Sequence, residues 1–278
     1  MYDLIQSVLD KAFGLETNMN FMEQIQALYK IPTDNLDIMK TISDFLIPIG
    51  IMLLLVYWTL AYLGDLVERK FEPETFVIRF VRLIAGVFVL NNATSFFVGI
   101  INFTDTLLSE IGNLYAGDIS FPVLTQMLNN IIDELKQGKV TSQFANFWIV
   151  IGLMGMVSSL NGILKYFIIF VAFIRNINVC RLLAFAPVGL SNIYEGGLKS
   201  AAVKYGRLFF AACMEPIIVL IGLIFFNILN ENLMGTYDPT VGTNAISISS
   251  FLGMSFVVFF LTIGFLWKSP KLAKEIFC

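Results

Sequence analysis

Long stretches without a charged residue limit what this chain can fold into more than any other feature. Three of them, residues 45–64, 83–104 and 245–267, contain no Asp, Glu, Lys or Arg. As helices, each would cross a hydrocarbon core about 30 Å thick. Across 278 residues the chain is 57% hydrophobic and 14% charged, against about 25% charged in soluble domains. We therefore predict an all-α, polytopic membrane helix bundle.

A fourth span, residues 208–230, contains one acid, Glu215, followed by Pro216. One central carboxylate costs about 3 kcal/mol on the insertion scale, whereas the Leu, Ile, Val and Phe residues of this segment contribute roughly −4 to −8 kcal/mol. The segment should therefore insert with its acid inside the membrane.

The remaining span, which is the third in chain order, is less distinct, because its apolar region continues past a lysine. We place it at residues 148–165, from Trp148, an interfacial anchor, to Lys165, whose ammonium can reach the far headgroups. Residues 166–174 would then lie near the inner surface, continue as a protruding helix or dip back into the membrane. The sequence does not decide among these three. In a six-span alternative, residues 166–190 cross back and put the most basic loop outside.

Positive charges in the loops predict the orientation of the five spans, because cytoplasmic loops are enriched in Lys and Arg. Twelve lie on one side: Arg69, Lys70, Arg79, Arg82, Arg175, Arg181, Lys199, Lys204, Arg207, Lys268, Lys271 and Lys274. Five lie on the other: Lys11, Lys30, Lys40, Lys136 and Lys139. The amino terminus is therefore expected outside and the carboxyl terminus in the cytoplasm. The cytoplasmic side then carries a basic face formed by Arg175, Arg181, Lys199, Lys204 and Arg207.

This topology divides the chain into an extracytoplasmic amphipathic segment (residues 1–44), a transmembrane domain (45–267) and a cytoplasmic tail (268–278). Apolar residues recur at helical spacing in two outside segments, which predicts two amphipathic surface helices. They are Leu4, Ile5, Val8, Leu9, Ala12 and Phe13, and then Val123, Leu124, Met127, Leu128, Ile131, Ile132 and Leu135. These helices either pack on the bundle or outer interface, or offer a docking face to a partner outside the membrane.

The composition argues against an enzyme. The chain contains no histidine, which removes HExxH zinc sites and Ser-His or Cys-His triads together. It also lacks a GxxxxGK[ST] phosphate loop, and Gly197-Leu198-Lys199-Ser200 misses the required glycine. We expect no catalytic residues, no metal and no cofactor.

Two groups of small or polar residues lie inside predicted spans. Gly152, Gly155, Ser159 and Gly162 recur three or four residues apart, which favours close packing of another helix along this seam. Asn91, Asn92, Thr94 and Ser95 lie near mid-membrane, where they either bond to a neighbouring helix or line a wet pore.

The most distinctive stretch is residues 181–215. Pro187 removes a hydrogen-bond donor, and Gly189 with the pair Gly196 and Gly197 permits sharp turns. With apolar residues on both sides, this broken element is either re-entrant or surface-lying, or it is an ordinary cytoplasmic loop.

This stretch also resembles a known family. A basic residue, a Leu-rich turn, the block Ala186-Pro187-Val188-Gly189-Leu190, a Gly pair, and Lys204-Tyr205-Gly206-Arg207 before a helix with Glu215-Pro216 are similar to the TrbL-type channel subunits of bacterial conjugation and type IV secretion machines. The similarity runs from about residue 57 to residue 267. We expect no long soluble carboxyl-terminal domain of the kind that some members carry.

The resemblance implies a structural channel or platform subunit in a bacterial plasma membrane, helping to pass protein-bound DNA or an effector protein outward. Its implied partners are other secretion subunits including cytoplasmic ATPases, further copies of itself, membrane lipid and, transiently, the DNA–protein substrate. An alternative is an ion-coupled small-solute transporter in which Glu215 is the coupling carboxylate, because intramembrane acids and broken helices mark transport sites.

Overall fold

The fold is known from a computed structural model, which describes residues 27–67, 73–114, 159, 163–164, 166–193, 200–235 and 245–278. Within these ranges every regular element is an α-helix. Five of the helices are long and apolar enough to cross a membrane. The predicted all-α polytopic class is therefore confirmed.

We number the helices in chain order. They are α1 (Thr33–Val67), α2 (Pro73–Leu114), α3 (Tyr166–Ala184), α4 (Ala186–Leu190), α5 (Ala201–Gly235) and α6 (Ala245–Phe277). All except the five-residue α4 are candidate spans. The predicted amino-terminal and second outside amphipathic helices lie outside the described residues.

One described span differs from the sequence prediction. Tyr166–Ala184 forms a single helix of spanning length, as in the six-span alternative, whereas the five-span prediction placed the third span in chain order at residues 148–165 and left residues 166–174 near the inner surface, as a protruding helix or dipping back into the membrane. The charge of Arg175 does not end the helix because its side chain is buried and bonded to protein oxygens, as described below. Most of residues 148–165 lie outside the described part of the chain.

Two helices extend beyond the predicted spans. The helix that contains the first span begins at Thr33, so residues 33–44 of the predicted amino-terminal segment are helical and continuous with that span. At the other end, α6 runs through Pro270 to Phe277. The predicted tail, residues 268–278, is thus almost entirely the last part of a helix.

The chain divides into two compact units. One, which we call the Arg175 unit, comprises residues 28–110, 172–218 and 269–278, and the second unit comprises residues 1–27, 111–171 and 219–268. In the Arg175 unit the core is apolar and includes the contact of Phe97 with Phe209, whose ring centroids lie 4.2 Å apart. In the second unit, Phe265 packs on Phe226 with ring centroids 5.7 Å apart.

Large apolar side chains on the outer faces of α1 and α2 remain exposed. Phe45 is 78% exposed, Met52 70% and Phe88 69%. Such surface is costly in water but matches lipid chains, so the exposure fits helices that lie in a bilayer.

Helix α4 packs closely against α1 at a glycine. A Cβ atom built on Gly50 would lie 2.7 Å from the carbonyl oxygen of Pro187, closer than a carbon can approach. Ala186, Pro187 and Leu190 are buried. The short helix is therefore fixed to α1 through backbone contact that only glycine permits.

Candidate functional site

The candidate site is built around Arg175, a fully buried arginine. It lies on α3, in the middle of the candidate span, and is 1% exposed. A charged side chain at such a position is costly unless its donors are satisfied by protein groups. The placement differs from the sequence prediction, which put Arg175 on an exposed basic face.

The guanidinium group of Arg175 donates hydrogen bonds to three backbone carbonyls and one side-chain amide. Nη1 donates to the carbonyl of Tyr29 at 2.9 Å and to Oδ1 of Asn176 at 2.9 Å. Nε donates to the carbonyl of Ala212 at 3.2 Å, and Nη2 to that of Cys213 at 3.3 Å. We call Arg175 with these four oxygens the arginine clamp. It ties α3 to α5 and to the helical turn of residues 27–29 before α1.

Asn176 adds a second bond to that turn. Its Nδ2 donates to the carbonyl of Leu28 at 3.3 Å, while its Oδ1 accepts from Arg175. Because the amide is used at both ends, it orients the guanidinium as well as joining the segments.

The clamp fills the gap that Pro216 leaves in α5. Proline has no N–H, so the carbonyl four residues earlier, on Ala212, loses its helical partner. This is the carbonyl that receives Nε of Arg175. The sequence shows Pro216 inside a span but contains no pattern that identifies the donor.

Glu215, the acid predicted inside a span, lies beside the clamp. It is 4% exposed, and Oγ of Ser269 on α6 donates to its Oε1 at 3.4 Å. Glu215 also interacts electrostatically with Arg175. This carboxylate therefore joins α5 to α6 in the Arg175 unit.

Two polar atoms near the clamp have no hydrogen-bond partner among the described residues. They are the hydroxyl of Tyr29 and Oδ1 of Asp105, both buried. Arg175 interacts electrostatically with both residues. Sequence reasoning missed them, because Tyr29 precedes the first span and Asp105 directly follows the uncharged run 83–104.

A second proline break, in the element predicted to be broken, also lies beside a side-chain bond to a carbonyl, but not to that of Leu183, which Pro187 leaves without a helical N–H. The chain leaves α3 at Phe185 and enters α4, with Pro187 in its first turn. The Tyr205 hydroxyl of α5 donates to the carbonyl of Leu182, in the last turn of α3. Tyr205 also occupies the space beside Gly189, where a Cβ would collide with its ring. The break is thus packed between helices, while Gly196 and Gly197 lie outside the described residues.

The predicted polar group of the second span separates into two. Thr94 is buried, shares a hydrogen bond of 2.9 Å with Ser43 and donates to Asp44 at 3.0 Å. Asn91, Asn92 and Ser95 are exposed instead, although Nδ2 of Asn92 donates to the carbonyl of Phe88 at 2.8 Å. Within the described part of the chain, Thr94 is the one of these four residues that bonds to another helix.

The remaining predicted residues are placed as follows. Arg181, Lys204 and Arg207 are exposed, so these three members of the basic face remain accessible. Lys199 lies outside the described residues. In the predicted packing seam, Ser159 is helical and exposed, whereas Gly152, Gly155 and Gly162 also lie outside.

Comparisons with known proteins return no match: no family model, no curated protein and no solved structure aligns with this chain.

Proposed function

We propose that this protein is a structural channel or platform subunit of a conjugative or type IV secretion machine. In this role it helps to pass protein-bound DNA or an effector protein across a bacterial plasma membrane. The proposal starts from the resemblance of residues 181–216 to TrbL-type subunits, described above. In this role the chain is a structural component of the machine and catalyses no reaction.

The observation that carries the proposal is that polar side chains inside the bundle form hydrogen bonds to other helices of the same chain. Arg175 holds the carbonyl that Pro216 frees, Tyr205 caps α3 beside the Pro187 break, and Thr94 joins α2 to α1. A carrier that moves a solute through a broken helix uses the freed backbone groups to bind its substrate. Here the Ala212 carbonyl that Pro216 frees is bound by Arg175, which favours a fixed framework.

The orientation belongs to the same proposal. In a five-span topology with Tyr166–Ala184 as the third span, Arg175 leaves the loop charges and Lys165 joins the opposite side, so the count becomes eleven against six. In the six-span alternative, where residues 148–165 cross as well, the most basic loop lies outside. The positive-inside rule therefore favours the five-span topology, with an outside amino terminus and a cytoplasmic carboxyl terminus.

The proposed partners follow from this orientation. The exposed Arg181, Lys204 and Arg207 would face cytoplasmic ATPases that supply energy, because the chain has no phosphate loop of its own. Other secretion subunits, further copies of this chain and, transiently, the DNA–protein substrate complete the set.

Deletion of the gene, with complementation in trans, tests the proposal. We expect deletion to abolish plasmid mating or effector secretion, and the tagged full-length chain to co-purify with a secretion ATPase from detergent-solubilised membranes. Normal transfer in the deletion strain, with no such co-purification, would exclude the role.

An ion-coupled small-solute transporter remains the second candidate. The specific observation in its favour is that the buried Tyr29 hydroxyl and Asp105 Oδ1 have no partner in the described part of the chain, close to Arg175. Buried ionisable groups of this kind often form ion or proton pathways. In that case Glu215 would be the coupling carboxylate, and its replacement by glutamine should abolish transport.

A further inference from the structure

The exposed face of α2 changes character halfway along the helix. On its first half this face carries apolar side chains, including Val81, Ile84 and Phe88, all more than half exposed. From Asn91 onward the same face is polar or small. We call the second half the α2 stripe: Asn91, Ser95, Gly99, Asn102, Thr106 and Ser109, all exposed.

The α2 stripe follows the helix axis closely. At about 100° per residue, its six members fall within an arc of roughly 80°. The buried face of the same helix, which includes Leu90, Phe97, Ile101 and Leu108, is centred roughly 140° away by the same geometry. The stripe therefore points away from the core that the described residues form.

Lipid does not suit this surface. Four of the six residues lie within the uncharged run 83–104 of a candidate membrane span. Amide and hydroxyl groups at membrane depth normally meet protein or water, since hydrocarbon offers them no hydrogen bond. Something other than acyl chains is expected to cover the stripe.

We propose that the α2 stripe is the surface through which two copies of this chain associate, α2 packing parallel against α2. Copies inserted with one orientation place identical residues at the same depth. Identical charges would then repel, but each amide and hydroxyl both donates and accepts, so Asn, Ser and Thr complement themselves. The stripe contains no charged residue.

Gly99 provides the space for such a contact. A Cβ built there meets nothing within 4 Å in the single chain, so glycine is not required for packing inside the chain. In a helix pair, however, a residue without a side chain lets the two backbones approach closely.

The width of the polar band favours a helix contact over a water-filled wall. On one side of it lie the exposed Asn92, about 20° beyond the edge of the stripe, and then Phe96 and Phe103, which are 65% and 55% exposed. A polar arc of about 100° with exposed aromatic rings along one side is close to the contact area of one helix. The α2 stripe would mediate the self-association that the proposed function includes, so the inference rests on that function. Its test uses no transfer assay, so the inference and the proposed function can each fail independently.

Disulfide trapping in native membranes tests the inference. The full chain would carry Cys180→Ser and Cys278→Ser, with the buried Cys213 retained, and one new cysteine as Ser95→Cys, Asn102→Cys, Phe96→Cys or Phe103→Cys. We expect mild oxidation to give several-fold more dimer for the two stripe positions than for the two phenylalanine positions. Equal yields at all four would overturn the inference.

Two further measurements separate the other possible occupants. No dimer at the stripe, with labelling of Ser95→Cys by a charged thiol reagent, would mean a water-lined face. No dimer and no labelling would mean lipid or a different subunit, and both outcomes overturn the inference. Adding Gly99→Leu should lower the Ser95→Cys dimer yield, whereas Gly64→Leu, at a glycine whose Cβ also meets nothing within 4 Å, should not.

Discussion

Arg175 directs its donors to backbone carbonyls rather than to a carboxylate within hydrogen-bond distance. A planar guanidinium with five N–H groups can reach several carbonyls at once, which an ammonium cannot do. Burying it replaces the lost solvent with fixed oxygens from Tyr29, Ala212 and Cys213. Arg175 therefore has acceptors for its own buried donors. It also supplies a donor to the carbonyl that Pro216 leaves without a helical partner, and we call this bond the repair.

A double-mutant cycle between Arg175 and Pro216 tests this repair. We expect Arg175→Met to destabilise the protein by about 2–4 kcal/mol, because it leaves buried carbonyls without donors. In the Pro216→Ala background the Ala212 carbonyl regains a helical N–H, so the same change should cost about 1 kcal/mol less. The measurement is the unfolding of the detergent-solubilised protein.

Pro48 in α1 supplies the control for this cycle. The carbonyl four residues before it belongs to Asp44, which is not among the oxygens that Arg175 binds. Arg175→Met and Pro48→Ala should therefore be additive. If the cost of Arg175→Met is the same with Pro216 and with Ala at that position, the repair has no energetic value.

At the scale of elements, long helices are joined by a few positions where backbones nearly touch. The contact of α1 with α4 is the clearest, because the Pro187 carbonyl lies where a Cβ on Gly50 would be. The Pro187 break lies next to the α1–α4 contact, and the Pro216 break lies next to the arginine clamp. At each of them a side chain from a neighbouring helix donates a hydrogen bond to a backbone carbonyl. The described part of the broken element, around Pro187 and Gly189, thus packs against α1 and α5 within the Arg175 unit.

Paired glycine substitutions in α1 test this contact. Gly50→Ala should destabilise the solubilised protein by about 1–3 kcal/mol, because α4 would have to move. Gly64→Ala, where a Cβ meets nothing within 4 Å, should be neutral or stabilise by up to about 1 kcal/mol through helix propensity. Equal unfolding temperatures for the two variants would contradict the close approach.

The sequence predicts these elements better than it predicts their contacts. Uncharged runs identify α1, α2 and α6, because lipid selects composition over a fixed length. They fail at α3, where Arg175 looks like the end of a span until its partners from distant residues are known. Glu215 and Thr94 could be selected as intramembrane polar residues. Tyr29 and Asp105 could not, because only tertiary packing brings them near the arginine.

At the scale of the whole molecule, the orientation of the spans decides which partners each surface can meet. Single cysteines at Lys30 and Lys271, both exposed, test it in a chain that carries Cys180→Ser and Cys278→Ser. We expect an impermeant maleimide added to intact cells to label Lys30→Cys but not Lys271→Cys, which should react only after lysis. Labelling of position 271 in intact cells would reverse the orientation.

Glu215 is where a framework subunit and an ion-coupled carrier differ most. In the framework account its carboxylate accepts a hydrogen bond from Ser269 and joins α5 to α6, which a neutral amide oxygen can also do. In the carrier account its ionisation is the mechanism. A substitution that removes the charge of Glu215 but keeps a hydrogen-bond acceptor therefore distinguishes the framework account from the carrier account.

The most direct measurement is mating or secretion by cells that carry Glu215→Gln, compared with wild type at matched protein levels and matched complex size on a native gel. We predict that Glu215→Gln retains most transfer, whereas Glu215→Leu combined with Pro216→Ala impairs assembly. Complete loss of transfer by Glu215→Gln, in a complex that still assembles fully, would contradict the framework role and favour the coupled carrier.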